Sequence, residues 1–308
     1  MAVTTDQRSN ILLDILTIQP SSLSFAFCST IILLLAARLF RSVRKGYHEF
    51  LSLGQGGVPS TFPNYLRVSY FRLFAITDVF QPPSLAESHN PSTAYLHTLP
   101  QRSSPRPRVA GIVPHRQVTQ RCPAPLHDKL RTALLGLVDG HPSLLTRGMS
   151  CFEKHGLAFF LSSSEPSPHP SFNHLNPTCE NTGEIAHLHD IDGSMHATLH
   201  PVDAALVIAA GWGQMHPIAG RDIHGKRYLP AGFTMIYAPA TEEEIEIVVR
   251  IVRASAWWVG GVVLGEGKEE GTAGGKARQL VDARDAANEK KGEKGEKGEV
   301  GFKGLAVE

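Results

Sequence analysis

Glu184-Ile185-Ala186-His187-Leu188-His189-Asp190, Ile191-Asp192-Gly193 and Ser194-Met195-His196-Ala197-Thr198-Leu199-His200 form one continuous stretch, and its reading decides the fold. Both arms alternate in the manner of strands, and the Asp192-Gly193 pair between them is the chemistry of a tight hairpin turn. Side chains two apart on a strand share a face, so His187 and His189 project together, and so do His196 and His200. If the arms pair antiparallel with those faces matched, four imidazoles meet.

Regular patterning extends outward from this hairpin. Leu130, Leu134, Leu137 and Val138 recur at helical spacing within residues 126–138, and Gly156 to Leu161 reads as a short buried strand. Residues 162–177 read as a polar loop. Val202 to Ala210 predicts a helix stopped by Gly211, and Phe233 to Ala238 a strand. The next helix opens on a capping box of Thr241 and Glu244 and turns Ile245, Val248, Val249 and Val252 to one side. Strands interleaved with such helices imply an α+β fold, a mainly antiparallel sheet with packed helices.

The N-terminal third is of another kind. From Ile15 to Ala37 there is no charged residue, and a membrane crossing needs roughly 20 mostly apolar positions. Arg38, Arg41, Arg44 and Lys45 follow at once, whereas Arg8 is offset by Asp6 and Asp14. That asymmetry predicts a single-pass anchor with the C-terminal bulk facing the cytosol, at the endoplasmic reticulum or a similar membrane, and is the reverse of a cleaved leader. Tyr65 to Phe80 carries aromatic and aliphatic side chains with Arg67 and Arg72 interspersed, suited either to the headgroup plane or to packing on a domain. Prolines recur from Pro82 to Pro125 and exclude long helices there.

The chain therefore divides into an N-terminal segment (1–17), a transmembrane anchor (18–40), a membrane-proximal and proline-rich region (41–125), a folded domain (126–260) and a tail (261–308). The tail is rich in Gly, Lys and Glu and has too little apolar surface to offset its ordering entropy, which predicts disorder. Its glycines at every third position lack the prolines of a collagen helix. A net charge of +1 over 308 residues gives no electrostatic basis for binding nucleic acid. Cys28, Cys122, Cys151 and Cys179 have no C-x-x-C spacing, which predicts reduced thiols.

Five of the fifteen histidines, His187, His189, His196, His200 and His216, fall within thirty residues. Grouped imidazoles suit the removal of a proton from an acidic enol, or the holding of a transition metal. A plainer reading places them on a solvated hairpin face. The metal reading resembles a cupin site, but Glu184 precedes His187 and His189 where cupins place the Glu after the pair, so no metal is expected. Gly211-Trp212-Gly213-Gln214-Met215-His216-Pro217 follows a helix stop and supplies a flat apolar wall with one N–H donor. No glycine-rich phosphate-binding signature is present, so flavin, NAD and ATP are not expected.

At these residues the sequence resembles the fungal luciferases. The likeness runs through Glu184 to Asp190, Met195-His196, Gly211 to Gln214, His216-Pro217-Ile218-Ala219-Gly220, Tyr237-Ala238-Pro239 and Glu242-Glu243-Glu244. It is weaker at the N-terminal span, at Tyr47 to Leu51 and at Gln117 to Gln120. The resemblance implies a luciferase-like domain over 126–260, an oxygenase acting without a cofactor on an aromatic enol or pyrone of the 3-hydroxyhispidin kind, with molecular oxygen as co-substrate and light as one outcome. On that footing His187, His189, His196 and His216 remove the proton and stabilise developing charge, Glu184 and Asp190 orient imidazoles, and Trp212, Gln214 and Tyr237 contact the substrate. The other classes open to the sequence are a non-catalytic small-molecule-binding module at a membrane and a metal-dependent cupin-like oxygenase.

Overall fold

The computed structural model describes residues 22–83, 94–162 and 183–265 of the chain. Two compact units divide at Ser52. The described residues of the first form helix α1 (Ser22–Ser52), whose stretch from Phe25 is long and apolar enough to cross a membrane and has none of its apolar window buried. The expected N-terminal segment 1–17, the loop 163–177 and the tail beyond 265 lie outside the described residues.

The second unit begins at Leu53. Helix α2 (Phe62–Phe71) has Pro63 as its second residue, whose fixed φ suits a first turn, and passes into a 3-10 turn at Arg72–Phe74. It buries Tyr65, Val68 and Phe71, while Phe62, Leu66 and Leu73 stay exposed. The Phe71 ring packs 5.2 Å from that of Tyr228, and Ile76 N–H donates to the Pro217 carbonyl. The segment thus packs on the domain and keeps a second apolar face outside.

The domain is a mixture of helices and antiparallel sheet. Six strands, β3 (Leu145–Met149), β4 (Leu157–Leu161), β5 (Glu184–Leu188), β6 (Met195–Thr198), β7 (Gly213–Met215) and β10 (Phe233–Ile236), form one sheet in the order β3-β4-β5-β6-β10-β7. Two small hairpins, β1–β2 (Val109–Gly111, His115–Gln117) and β8–β9 (Asp222–Ile223, Lys226–Arg227), stand apart from it. The central strands β5, β6 and β10 are buried along their whole length, so both faces of the sheet are covered.

One face is apolar. Ala186 lies opposite Ala197 and Leu188 opposite Met195, with Ile236 beyond, and this row joins the main core with helices α3 (Ala124–Asp139), α4 (Pro201–Ala209) and α5 (Glu243–Gly260). Helix α5 is fastened to the strands by Ser255, whose Oγ lies 2.7 Å from the Ile185 carbonyl and 2.8 Å from that of Thr198, and accepts from Thr198 N–H. The expected face of Ile245, Val248, Val249 and Val252 is buried. The expected capping box of Thr241 and Glu244 does not form, and no side chain caps the helix from its first position. The helix begins at Glu243 with Glu242 as its cap, and Glu244 Oε2 reaches back past the cap to accept from Ala240 N–H at 2.7 Å. The helix ends at Gly261 in the left-handed region, φ 66°, where glycine carries no Cβ penalty.

Between β6 and β10 the backbones approach so closely that a Cβ on Gly232 would lie 1.9 Å from the Leu199 carbonyl oxygen. Only glycine fits this junction, which brings Phe233 opposite Thr198 and Met235 opposite His196. The thiols differ from expectation. Cys28 and Cys122 are free, but Cys151 is disulfide-bonded, so spacing alone was a poor guide to pairing made through space.

Candidate active site

The second face of the sheet carries the chemistry. His187 lies directly opposite His196 in the β5–β6 ladder, and His189 continues the His187 face past the strand end. His187 Nε2 is 3.1 Å and His189 Nε2 3.0 Å from His196 Nδ1. All three are buried because the covering layer is itself polar and aromatic. Strand β2 lays His115 over the sheet, with its Nδ1 3.0 Å from His196 Nε2. Phe152 and Phe233 press rings against His187, and Phe233 stacks on His196 at 4.9 Å. His216 contacts the His115 and His196 rings edge-on, at 4.6 and 5.3 Å between centroids.

Each ring is held through its outer nitrogen. Glu184 Oε1 accepts from His187 Nδ1 at 2.7 Å and is itself fixed by Ser150 Oγ, while the other carboxylate oxygen accepts from Cys151 N–H. His189 Nδ1 lies 2.8 Å from Ser194 Oγ, which donates to Asp192 at 2.6 Å. Asp192 is buried in the hairpin turn and also accepts from Gln117 N–H and Ser194 N–H. The His216 ring is fully engaged. Its Nε2 donates to the Ile112 carbonyl at 2.9 Å, and its Nδ1 accepts from Ile218 N–H at 3.3 Å.

Two charged groups complete the cluster. Arg116 grips Glu153 through both guanidinium nitrogens, with Nη1 to Oε1 at 3.1 Å, and also donates to the His115 and Gln55 carbonyls. Glu153 Oε1 lies 3.9 Å from His189 Nε2. Burial favours the neutral acid of Glu153, but the His189 ring and the Arg116 guanidinium outweigh it and hold the carboxyl down at about 2. Burial, reinforced by the neighbouring rings or by Arg116, pushes His115, His189 and His196 below the usual imidazole range and His216 down to about 3. Neutral imidazoles in a dry site are proton acceptors and metal donors at neutral pH.

Of the residues singled out in the sequence, His187, His189, His196, His216 and Glu184 converge here. Asp190 does not. It is exposed and pairs with Arg131 at 3.6 Å, and the neighbouring acid in the turn, Asp192, is the one that reaches His189. Strand β6 ends at Thr198, so His200 leaves the matched face, caps helix α4 by accepting from Val202 N–H, and meets the Trp258 ring edge-on at 4.6 Å. Gln214 lies opposite Met235, which lies opposite His196, so it shares the imidazole face. Its Oε1 accepts from Tyr237 Oη at 2.9 Å. Trp212 is buried, gives its N–H to the Pro100 carbonyl at 2.7 Å, and has Arg102 5.9 Å over its ring. Sequence reasoning missed His115, Arg116, Glu153 and Asp192. The first two sit in the proline-rich stretch, where nothing local separates an all-buried His-Arg-Gln triplet from a loop.

The Luciferase domain family model matches residues 182–255, which hold the histidine hairpin and His216 but neither His115 nor Glu153. Over 231 residues, 71% of this chain and 82% of the relative, the sequence is 34% identical to a luciferase of Armillaria ostoyae. Over 235 residues, 73% and 84% respectively, it is 32% identical to a luciferase of Neonothopanus nambi. No solved structure matches the chain. The chain belongs to the fungal luciferase family. At the level of that family it is a luciferase-like oxygenase.

Proposed function

We propose that the chain oxidises an electron-rich aromatic enol or pyrone of the 3-hydroxyhispidin type with molecular oxygen, at a membrane to which α1 tethers it. The observation that carries this reading is the convergence of His187, His189 and His196 on one buried point, each ring fixed from behind. A neutral imidazole takes the substrate proton, and the electron pair left on carbon forms a C–O bond to oxygen. The same proton then returns to the distal oxygen, giving a hydroperoxide with every atom accounted for. His115 lies beside the point where negative charge develops and would stabilise it, while His216, both of whose nitrogens have backbone partners, packs edge-on against it. Gln214 and Tyr237 share that face of the sheet and would bound the aromatic ring.

The cationic run after the apolar span favours a domain on the cytosolic side. The Cys151 disulfide favours an oxidising compartment, so the two signals are separable by a topology experiment. To test the activity, the full-length chain in lipid nanodiscs is given 3-hydroxyhispidin while oxygen uptake, photons and product mass are recorded. Oxygen consumed in equal amount to substrate supports the proposal, and photons distinguish a luminous from a dark oxygenase. Binding of the pyrone without oxygen uptake would identify a non-catalytic binding module instead.

A further inference from the structure

We propose that Glu153, His187, His189 and His196 form a binding site for a single divalent first-row transition-metal ion. One ligand atom from each of these four residues, drawn from two adjacent strands, the hairpin turn and the 150–154 turn, lies within 4.8 Å of the other three, and all four residues are buried. Imidazole nitrogens bound at about 2.1 Å to one ion stand about 3.0 Å apart when at right angles and about 3.4 Å apart when tetrahedral. The separations of 3.1 and 3.0 Å from His196 Nδ1 to His187 Nε2 and His189 Nε2 match that spacing.

The outer nitrogens are arranged as ligand histidines require. Metal-bound imidazoles nearly always give their second N–H to a carboxylate or another fixed acceptor. Here Glu184 backs His187, the Ser194–Asp192 pair backs His189, and His115 Nδ1 backs His196 Nε2. Charge points the same way. Glu153, Glu184 and Asp192 are buried carboxylates around the point, and Arg116 is the buried guanidinium beside them, which leaves two negative charges for a dication to balance.

A second triad of ring nitrogens, from His115, His196 and His216, fits less well, because both nitrogens of His216 already have backbone partners. Three nitrogens and one carboxylate oxygen select manganese, iron, cobalt, nickel, copper or zinc over magnesium or calcium, which prefer oxygen donors. Asp190 and Asp192 follow the histidine pair but stay outside the ligand set, and its carboxylate is Glu153, 34 positions before His187.

The site uses the same three imidazoles as the proposed oxygenase, and a ring bound to the ion has no lone pair left to take a proton. The oxygenase chemistry proposed above therefore belongs to the metal-free rings, and the test of the site reads metal and not turnover. The full-length chain, carrying no histidine tag, is stripped with chelator and titrated with Co(II), following its visible ligand-field bands and the thermal midpoint. The expected result is one Co(II) per chain, displaced by Zn(II), with a raised midpoint. His196→Gln should abolish the bands, Glu184→Gln should weaken binding about 10- to 100-fold by loosening His187, and His141→Gln should bind as wild type. Circular dichroism checks that each stripped variant is folded, and Glu153→Gln serves as the second ligand variant if His196→Gln is not. Absence of Co(II) binding by the stripped wild type, or full binding by a folded ligand variant, would overturn the assignment. Metal binding by a chain whose stripped form shows no oxygen uptake would refute the proposed oxygenase alone.

Discussion

The Arg116–Glu153 pair offers the sharpest test of how the cluster is held together. Arg116 is 4% and Glu153 8% exposed, and the two groups meet in a two-pronged contact that fixes the turn carrying Glu153 against strand β2. Arg116→Met removes the guanidinium, keeps most of the stem volume, and leaves a buried carboxylate without its cation. Breaking a buried pair from one side costs about 3 to 5 kcal/mol, whereas replacing both partners by apolar groups is often neutral. The double variant Arg116→Met/Glu153→Leu should therefore recover most of the loss, with a coupling of about 3 kcal/mol in a double-mutant cycle. Urea unfolding in chelated buffer reads this through the fluorescence of Trp212, Trp257 and Trp258, all of which are buried. A coupling under about 0.5 kcal/mol, the scatter expected for independent sites, would refute the claim that the two charges depend on each other.

Three further outcomes follow from the geometry. Asp192→Asn should lower oxygen uptake about 10- to 100-fold by releasing Ser194 and His189, while Asp190→Asn, at the surface, should match wild type; equal loss in both would return the orienting role to Asp190. Burial raises the Asp203 carboxyl to about 6, with Leu96 and Tyr95 N–H groups only partly offsetting it. Its folded value lies above the unfolded one, so its stabilising contribution is full below pH 3.8 and is lost as pH rises through 6. Asp203→Asn should thus gain about 1.4 kcal/mol on wild type between pH 5 and pH 7.5, measured as the change in urea stability difference, and a constant difference would contradict the shift. A glycosylation acceptor placed near residue 285 should stay unmodified in microsomes, as the cations after the apolar span dictate; its modification would put the domain in the lumen, where the Cys151 disulfide is at home.

Much of the sheet was legible because its strands obey a period of two and its turn has specific chemistry. The alternation from Glu184 to His196 implied the matched faces, and the structure places His187 opposite His196 as that alternation requires. What local pattern cannot carry is the partner from elsewhere. His115 lies 81 residues from the ring it touches, and Glu153 lies 34 residues before the nearest of its imidazoles on the strand. Strand β7 has three residues, too few to show a period, and β3 reads Leu-Thr-Arg-Gly-Met with only Leu145 buried. His200 misled because alternation continues past the point where Pro201 starts a helix, and proline at a first helical position ends the strand. Asp190 and Asp192 are equivalent on paper, and the hairpin turn alone decides which of them faces inward.

The place of β10 in the sheet bears on how the protein is made. The strand that seals the open side of β6 emerges 35 residues after it, with helix α4, strand β7 and a small hairpin synthesised in between. Until Phe233 to Ile236 arrives, the histidine hairpin shows an unpaired edge, and His196 lacks the phenyl ring that covers it. Nascent chains are therefore most prone to mispairing in that interval, when the open β6 edge can bind a strand from another copy. The Gly232–Leu199 contact ends the interval, since only a residue without a side chain lets β10 slot into a gap already bounded on both sides.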